Sequence, residues 1–262
     1  MLTFNLNNPS LVRARQQVAY LAARPEQVLV LTETADSVGC NHLAERFTAA
    51  GYEVAFPRPG WRERGVMVVS RLAMRPASFW VDYLPHRAVA VTVDTDRGPL
   101  DVIGLYVPSR DATPEKTERK RRFLEEISTA LPSGAVGARV VIGDLNVLER
   151  NHVPRYKVLR PFEYEFYDGL AEAGYRDAYR ELHATAREYS WVGRTGDGYR
   201  YDHAHVSKLL LDTLSGCAYD HEPRTGAYRL TDHSSLSISL AVAATAPLSV
   251  GDPTIEPERT LA

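Results

Sequence analysis

Short runs of branched apolar residues, each closed off by turn formers, recur along the chain. They are Val28 to Leu31, Gly65 to Ser70, Ala88 to Val93, Val102 to Tyr106 and Val140 to Ile142, with further candidates at Leu2 to Leu6, Asp202 to Val206 and Ser234 to Leu240. Runs this short and this rich in Val and Ile read as strands buried on both faces. Such strands need covering layers, and helical patterns lie between them. Leu11, Ala14, Val18, Leu21 and Ala22 recur at helical spacing after Asn8-Pro9, and Leu43, Phe47 and Ala50 suggest a second helix. Glu115 to Leu131 reads as a third helix, and Phe162 to Ala173 as a fourth, with Phe166, Leu170 and Ala173 on one stripe. Strict alternation would predict a doubly wound parallel sheet, but from Gly65 to Tyr106 strands follow one another with only turns between them. The expectation is a layered α/β domain with mixed sheets over residues 1–244. The Pro-containing, apolar-poor segment from Thr245 to Ala262 reads as a disordered tail.

With 262 residues and 44% hydrophobic content, one domain can bury a core without disulfides or structural metals. Cys40 and Cys217 are accordingly expected to be buried free thiols in a reducing cytoplasm. The first strand candidate begins directly behind Met1, which predicts no secretory leader. The apolar stretch near Leu236 to Ala244 falls short of the about 20 residues a membrane helix needs, so no membrane contact is expected. Lys and Arg number 31 against 33 Asp and Glu, a net charge of −2. That balance exerts no overall pull on polyanions, and any nucleic-acid contact must come from a local patch. A monomer is expected.

Polar residues cluster at strand ends, where a rigid backbone aims them at solvent. Glu33 follows Val28 to Leu31, Asp144 and Asn146 follow Val140 to Ile142, Asp202 opens a strand, and Asp232-His233 precede the last one, with Asn5 and Asn7 in the first. Hard oxygen donors of this kind suit Mg²⁺ or Mn²⁺, held by a few carboxylates together with substrate phosphate oxygens. A hydrolytic phosphate site needs such a metal, a group that orients water and a cation facing the phosphoryl oxygens. Glu33, Asp144 and His233 meet those three needs.

Six motifs in order carry a family resemblance: Phe4-Asn5-Leu6-Asn7, Leu31-Thr32-Glu33-Thr34, Gly104 to Ser109, Gly143-Asp144-Leu145-Asn146, Arg200-Tyr201-Asp202 and Thr231-Asp232-His233-Ser234. The chain resembles the metal-dependent endonuclease/exonuclease/phosphatase superfamily, which includes exonuclease III, DNase I, inositol-polyphosphate phosphatases and sphingomyelinases. The resemblance implies a four-layer α/β sandwich of the DNase I kind, with two central mixed sheets, flanking helices and the site at one end. It implies Glu33 as principal metal ligand with Asn5 beside it, and Asp232 helping to bind or place the metal. Asp144 would hold and activate water, Asn146 would orient that water or touch the phosphate, and Tyr106 would hydrogen-bond a phosphate oxygen. Asp202 would orient His233, whose imidazolium would stabilise developing negative charge. Asn7, Arg110 and Trp191 are the expected substrate contacts.

Gly174-Tyr175-Arg176-Asp177-Ala178-Tyr179-Arg180 followed by Tyr189-Ser190-Trp191 is similar to the exonuclease III and abasic-site endonuclease branch. DNA is therefore the first expected substrate, and Trp191 a candidate to stack on a base or sugar. Two departures stand against DNA. Ala35 follows Glu33-Thr34 where the branch carries lysine, and Val147 to Arg160 lacks the usual continuation, although Arg150, His152, Arg155, Lys157 and Arg160 keep it basic. A phosphatase of a small metabolite or lipid head group is the alternative, and a binding module that has lost catalysis the third reading. The cluster Lys116, Arg119, Lys120, Arg121 and Arg122 shares its helix with Glu115, Glu118, Glu125 and Glu126 and reads as a solvated, ion-paired face. His203 and His205 have strand-face spacing but no third soft ligand nearby, and read as packing or solvent-exposed residues.

Overall fold

The computed structural model describes residues 1–156 and 159–255. Lys157 and residues 256–262 lie outside the described residues. In chain order the first elements are β1 (Leu2–Asn5), α1 (Leu11–Ala22), β2 (Val28–Thr34), α2 (Val38–Ala49), β3 (Glu53–Ala55), β4 (Gly65–Ser70) and β5 (Met74–Pro76). They are followed by β6 (Ala88–Thr95), β7 (Gly98–Tyr106), α3 (Pro114–Ala130), β8 (Ala138–Asp144), α4 (Pro161–Glu172), β9 (Tyr175–Asp177) and α5 (Ala178–Leu182). The last are β10 (Trp191–Val192), β11 (Gly198–Tyr199), β12 (Asp202–Ser207), β13 (Leu214–Asp220), α6 (Glu222–Thr225) and β14 (Ser235–Leu240).

Two six-stranded sheets form, in the orders β13-β14-β1-β2-β4-β3 and β5-β6-β7-β8-β12-β9. Both are mixed: β1/β2 and β7/β8 are parallel and the remaining neighbours antiparallel. Alternation along each strand sorts side chains into layers. Val30, Val68, Val102, Ile142, Ala204 and Ile238 meet between the sheets. Leu29, Leu31 and Met67 turn outward onto Val18, Leu43 and Phe47 of α1 and α2. Ile103 and Val141 turn outward onto Phe123 and Ile127 of α3 and Phe166 of α4. The result is the expected four-layer sandwich. The helices begin where local chemistry predicts: Ser10 and Ser37 accept hydrogen bonds from Arg13 N–H and Cys40 N–H, and Pro114 and Pro161 open α3 and α4. Cys40 and Cys217 are buried free thiols, as expected.

The tail expected from Thr245 is packed as far as Ile255. Thr245 N–H bonds to Asp94, Leu248 N–H to Arg71 and Gly251 N–H to Ala50, while the Arg46 guanidinium holds the Pro253 carbonyl at 2.7 Å and that of Ile255. Backbone hydrogen bonds do what apolar side chains would otherwise do, so composition was a poor guide. No described helix is long and apolar enough to cross a membrane.

Candidate active site

Asn5, Glu33, Tyr106 and Asp144 stand at the C-terminal ends of β1, β2, β7 and β8, and Asp202 and His233 at the N-terminal ends of the antiparallel β12 and β14. All six therefore meet at one edge of the sandwich, where ligands of α/β sheets gather. Two backbone devices refine this. Alternation after Leu29 and Leu31 would send Glu33 into the helix layer, but a register shift against β4 between Thr32 and Thr34, with Glu33 at φ +54°, turns it to the site. At Gly143, φ is +151° and a Cβ would lie 2.0 Å from the Leu105 carbonyl oxygen. Only glycine lets β8 run this close to β7 and set Asp144 opposite Tyr106.

The side chains interlock. Asn5 Nδ2 donates to Asp144 Oδ2 at 3.0 Å, and the Asn5 amide also serves the Glu33 carboxylate. Asp144 Oδ1 accepts Asn146 N–H at 3.0 Å, and Asn146 Nδ2 donates to the Val107 carbonyl. His233 Nδ1 lies 2.7 Å from Asp202 Oδ2, so the pair expected from separate motifs is formed. Asp202 itself is set by register opposite Asp144, its N–H held by Ser190 Oγ. Asn7 and Trp191, expected as substrate contacts, both donate to Asp232, at 2.8 and 3.0 Å. The Trp191 ring also stacks on Tyr199. Arg110 is clamped by Glu163. A cavity of about 520 Å³ opens over the cluster and is lined by Glu33, Tyr106, Arg110, Asp144, Asn146, Trp191 and His233.

The electrostatics are those of a site short of positive charge. Burial, then Asp202 and Glu33, push the Asp144 carboxyl up, and burial, then Asp232, raises Glu33. Burial works against the His233 imidazolium, but Asp202, Asp144 and Asp232 outweigh it and lift its pKa to about 10. Asp202 Oδ1 is buried without a hydrogen-bond partner. Atoms of Asp144, Asp202 and His233 lie within 4.8 Å of one another. With Nδ1 of His233 held by Asp202, the carboxylate oxygens are the candidate ligands for an ion. Hard oxygens in excess of countercharge fit a divalent cation such as Mg²⁺.

Two contributors escaped the sequence. Arg64, just before β4, acts on Glu33 and supplies a positive charge beside the metal-ligand candidate. Lys120 belongs to the basic helix expected to be solvated. Lys116 and Arg121 are indeed paired outside with Asp111, Glu118 and Glu125, but Lys120 is buried against Glu163 at 2.7 Å and donates to the Asn146 carbonyl. The signal was present: Lys120 shares the stripe of Phe123, Leu124 and Ile127 at helical spacing. His203 and His205 are buried beside Tyr167 and Asp177, away from the cluster.

No curated protein matches the sequence. Solved structures similar in fold include a 3′ phosphatase, NExo, from Neisseria bound to a product DNA hairpin. It is 23% identical with a TM-score of 0.78, covering 91% of this chain and 98% of that one. An AP endonuclease from Archaeoglobus fulgidus is 23% identical with a TM-score of 0.73, covering 91% and 98%. A 3′-5′ exonuclease, NExo, from Neisseria meningitidis is 24% identical with a TM-score of 0.77, again covering 91% and 98%. Residues 2–233 match the endonuclease/exonuclease/phosphatase family, a span that runs from β1 to His233 just before β14. With its motifs converging at one sheet edge, this chain belongs to that family.

Proposed function

We propose that the protein is a Mg²⁺- or Mn²⁺-dependent phosphoesterase that hydrolyses phosphodiester or terminal phosphate bonds of DNA. The observation that carries this reading is the buried Asp202–His233 pair facing Asp144 and Glu33 across an undercompensated carboxylate cluster. Glu33, with Asn5 and Asp232 beside it, would hold the ion, which supplies Lewis-acid polarisation of the phosphate. Asp232 already accepts from Asn7 and Trp191, but each carboxylate oxygen keeps a second lone pair. Asp144 orients the attacking water and takes its proton, and the Asn146 amide, held by its bond to the Val107 carbonyl, steadies the same water or the phosphate. With Nδ1 committed to Asp202, His233 offers Nε2–H to a phosphoryl oxygen as charge grows there. Tyr106, its hydroxyl proton held by burial and by Glu33, donates a second hydrogen bond. Arg110 and the Trp191 ring receive the flanking part of the substrate.

DNA is favoured because the structures of similar fold include a DNA-bound phosphatase and an AP endonuclease. The test is a Mg²⁺/Mn²⁺ cleavage assay on single-strand, duplex, gapped and abasic-site oligonucleotides, with Asp144→Asn as control. Cutting that disappears in the variant supports the reading, and intact DNA throughout ends it. The walled cavity of about 520 Å³ also favours a second reading, a phosphatase of small phosphoesters. Phosphate release from a phosphomonoester panel without DNA cutting would bring it forward.

A further inference from the structure

Between β3 and β4 the chain reads Phe56-Pro57-Arg58-Pro59-Gly60-Trp61-Arg62-Glu63-Arg64. Both ends of this loop are braced. Pro59 is buried, and Glu63 is ion-paired with Arg119 and with Arg87 at 3.4 Å, with His86 at 3.5 Å. A turn bond from Glu63 N–H to the Gly60 carbonyl, 2.9 Å, closes the tip. The tip is thereby held out into solvent: Trp61 is 87% exposed, with the Arg62 guanidinium 4.9 Å from its ring centroid. Arg62 adopts φ +62°, a left-handed conformation that costs a non-glycine residue free energy. A large apolar ring kept in water by a braced and strained turn points to a partner.

The loop also sits on the rim of the site. Arg64 acts electrostatically on Glu33 and Tyr106, and Arg58 approaches Asp36, just past Glu33, at 3.6 Å. Trp61 is three residues from Arg64, a span of at most about 10 Å. That is the length of about three stacked nucleotides along one strand. An indole flanked by guanidinium groups matches the two repeating surfaces of a nucleic-acid strand, the base face and the phosphate. We infer that the 56–64 loop is a docking arm for an unpaired stretch of the substrate strand. One face of Trp61 carries Arg62 and the other stacks on a base a few nucleotides from the reacting phosphate, while Arg58 and Arg62 contact the backbone. The inference rests on the DNA reading above and adds where, and in what form, the strand is held.

The test compares wild type, Trp61→Ala and Trp61→Phe on a single-stranded oligonucleotide long enough to reach the loop, and on thymidine p-nitrophenyl phosphate, which is too short. Trp61→Ala should raise KM for the oligonucleotide about tenfold, the loss of one base stack of about 1.4 kcal/mol. It should leave kcat and turnover of the short ester unchanged, and Trp61→Phe should restore most of the affinity. In an Asp144→Asn background the same oligonucleotide should quench tryptophan fluorescence, and Trp61→Ala should remove part of that quenching, leaving the part that comes from Trp191. Oligonucleotide cleavage with an unchanged KM, or quenching by anionic vesicles but not by oligonucleotide, would overturn the docking arm and leave the nuclease reading standing. A wild type that cuts no oligonucleotide sinks the nuclease reading itself.

Discussion

Two sets of buried carboxylates lie in this molecule and behave in opposite ways. At the site, Asp144 and Glu33 are pushed up, burial being the leading cause and their acidic neighbours adding to it. On the second sheet and the α4 layer beside it, Asp177, Glu149 and Glu163 are also buried, yet each is held below the ordinary carboxylate range. Burial opposes those charges too. It is overcome by Arg200 and His203 around Asp177, by His152, Arg180 and Arg200 around Glu149, and by Lys120 and Arg110 around Glu163. The difference is compensation. A carboxylate matched by cations of its own chain holds structure together, and one left unmatched is available for an ion and for substrate.

Substitutions should separate the two sets. The largest effect belongs to the unmatched one: Asp144→Asn and His233→Ala should each cost turnover orders of magnitude with little change in melting temperature, as expected of groups acting mainly in the transition state. Steady-state kinetics beside thermal melts check this, and a near-wild-type rate in either variant would break the comparison. Asp202→Asn should resemble His233→Ala, and the double variant should cost far less than the sum because one residue orients the other. In the matched set, Asp177→Ala removes the nearer of the buried Arg200's two carboxylate partners, 2.7 Å against 3.3 Å to Glu149, and should cost about 3 kcal/mol of stability in denaturant melts. Turnover per folded molecule should stay near wild type.

Divalent ion should act on the first set alone. Saturating Mg²⁺ or Mn²⁺ should stabilise the wild type by about 2.7 kcal/mol at a hundredfold excess over Kd, and a chelator should abolish activity. Glu33→Ala should lose most of that stabilisation, read as the metal-dependent shift in Tm. The smallest effect comes from Glu63, a half-exposed member of the matched kind. Burial works against its charge, but Arg119, Arg87 and His86 hold its pKa at about 2, below the about 4.3 of an unfolded chain. A depressed pKa stabilises the fold above the unfolded value, and the gain is lost as pH falls toward about 2. Glu63→Gln should therefore lower stability slightly near neutrality and converge on the wild type as pH falls from about 4.3 toward 2, read in denaturant melts across that range.

How far these features could be read in advance varied with their physical origin. Strands packed on both faces, such as Gly65–Ser70, announced themselves as unbroken apolar runs. β13, Leu214–Asp220, did not: it is an edge strand with Cys217 as its buried side chain, and edge strands carry no such run. The expected tail misled for a related reason, since residues 245–255 are held through backbone groups.

The sequence by itself determined the layered α/β class, the positions of the main helices and the order of the strand-end residues. Hydrophobic period and residue type are local properties, and they survive without knowledge of neighbours. Tertiary structure alone decided which charges meet. It turned Glu33 inward through a bulge, brought Arg64 to it from the loop before β4, buried Lys120 among the residues of an apparently solvated helix and braced Trp61 outward on the rim. Compensation of a buried charge depends on residues distant in the chain and near in space, and spacing along the sequence does not record that nearness.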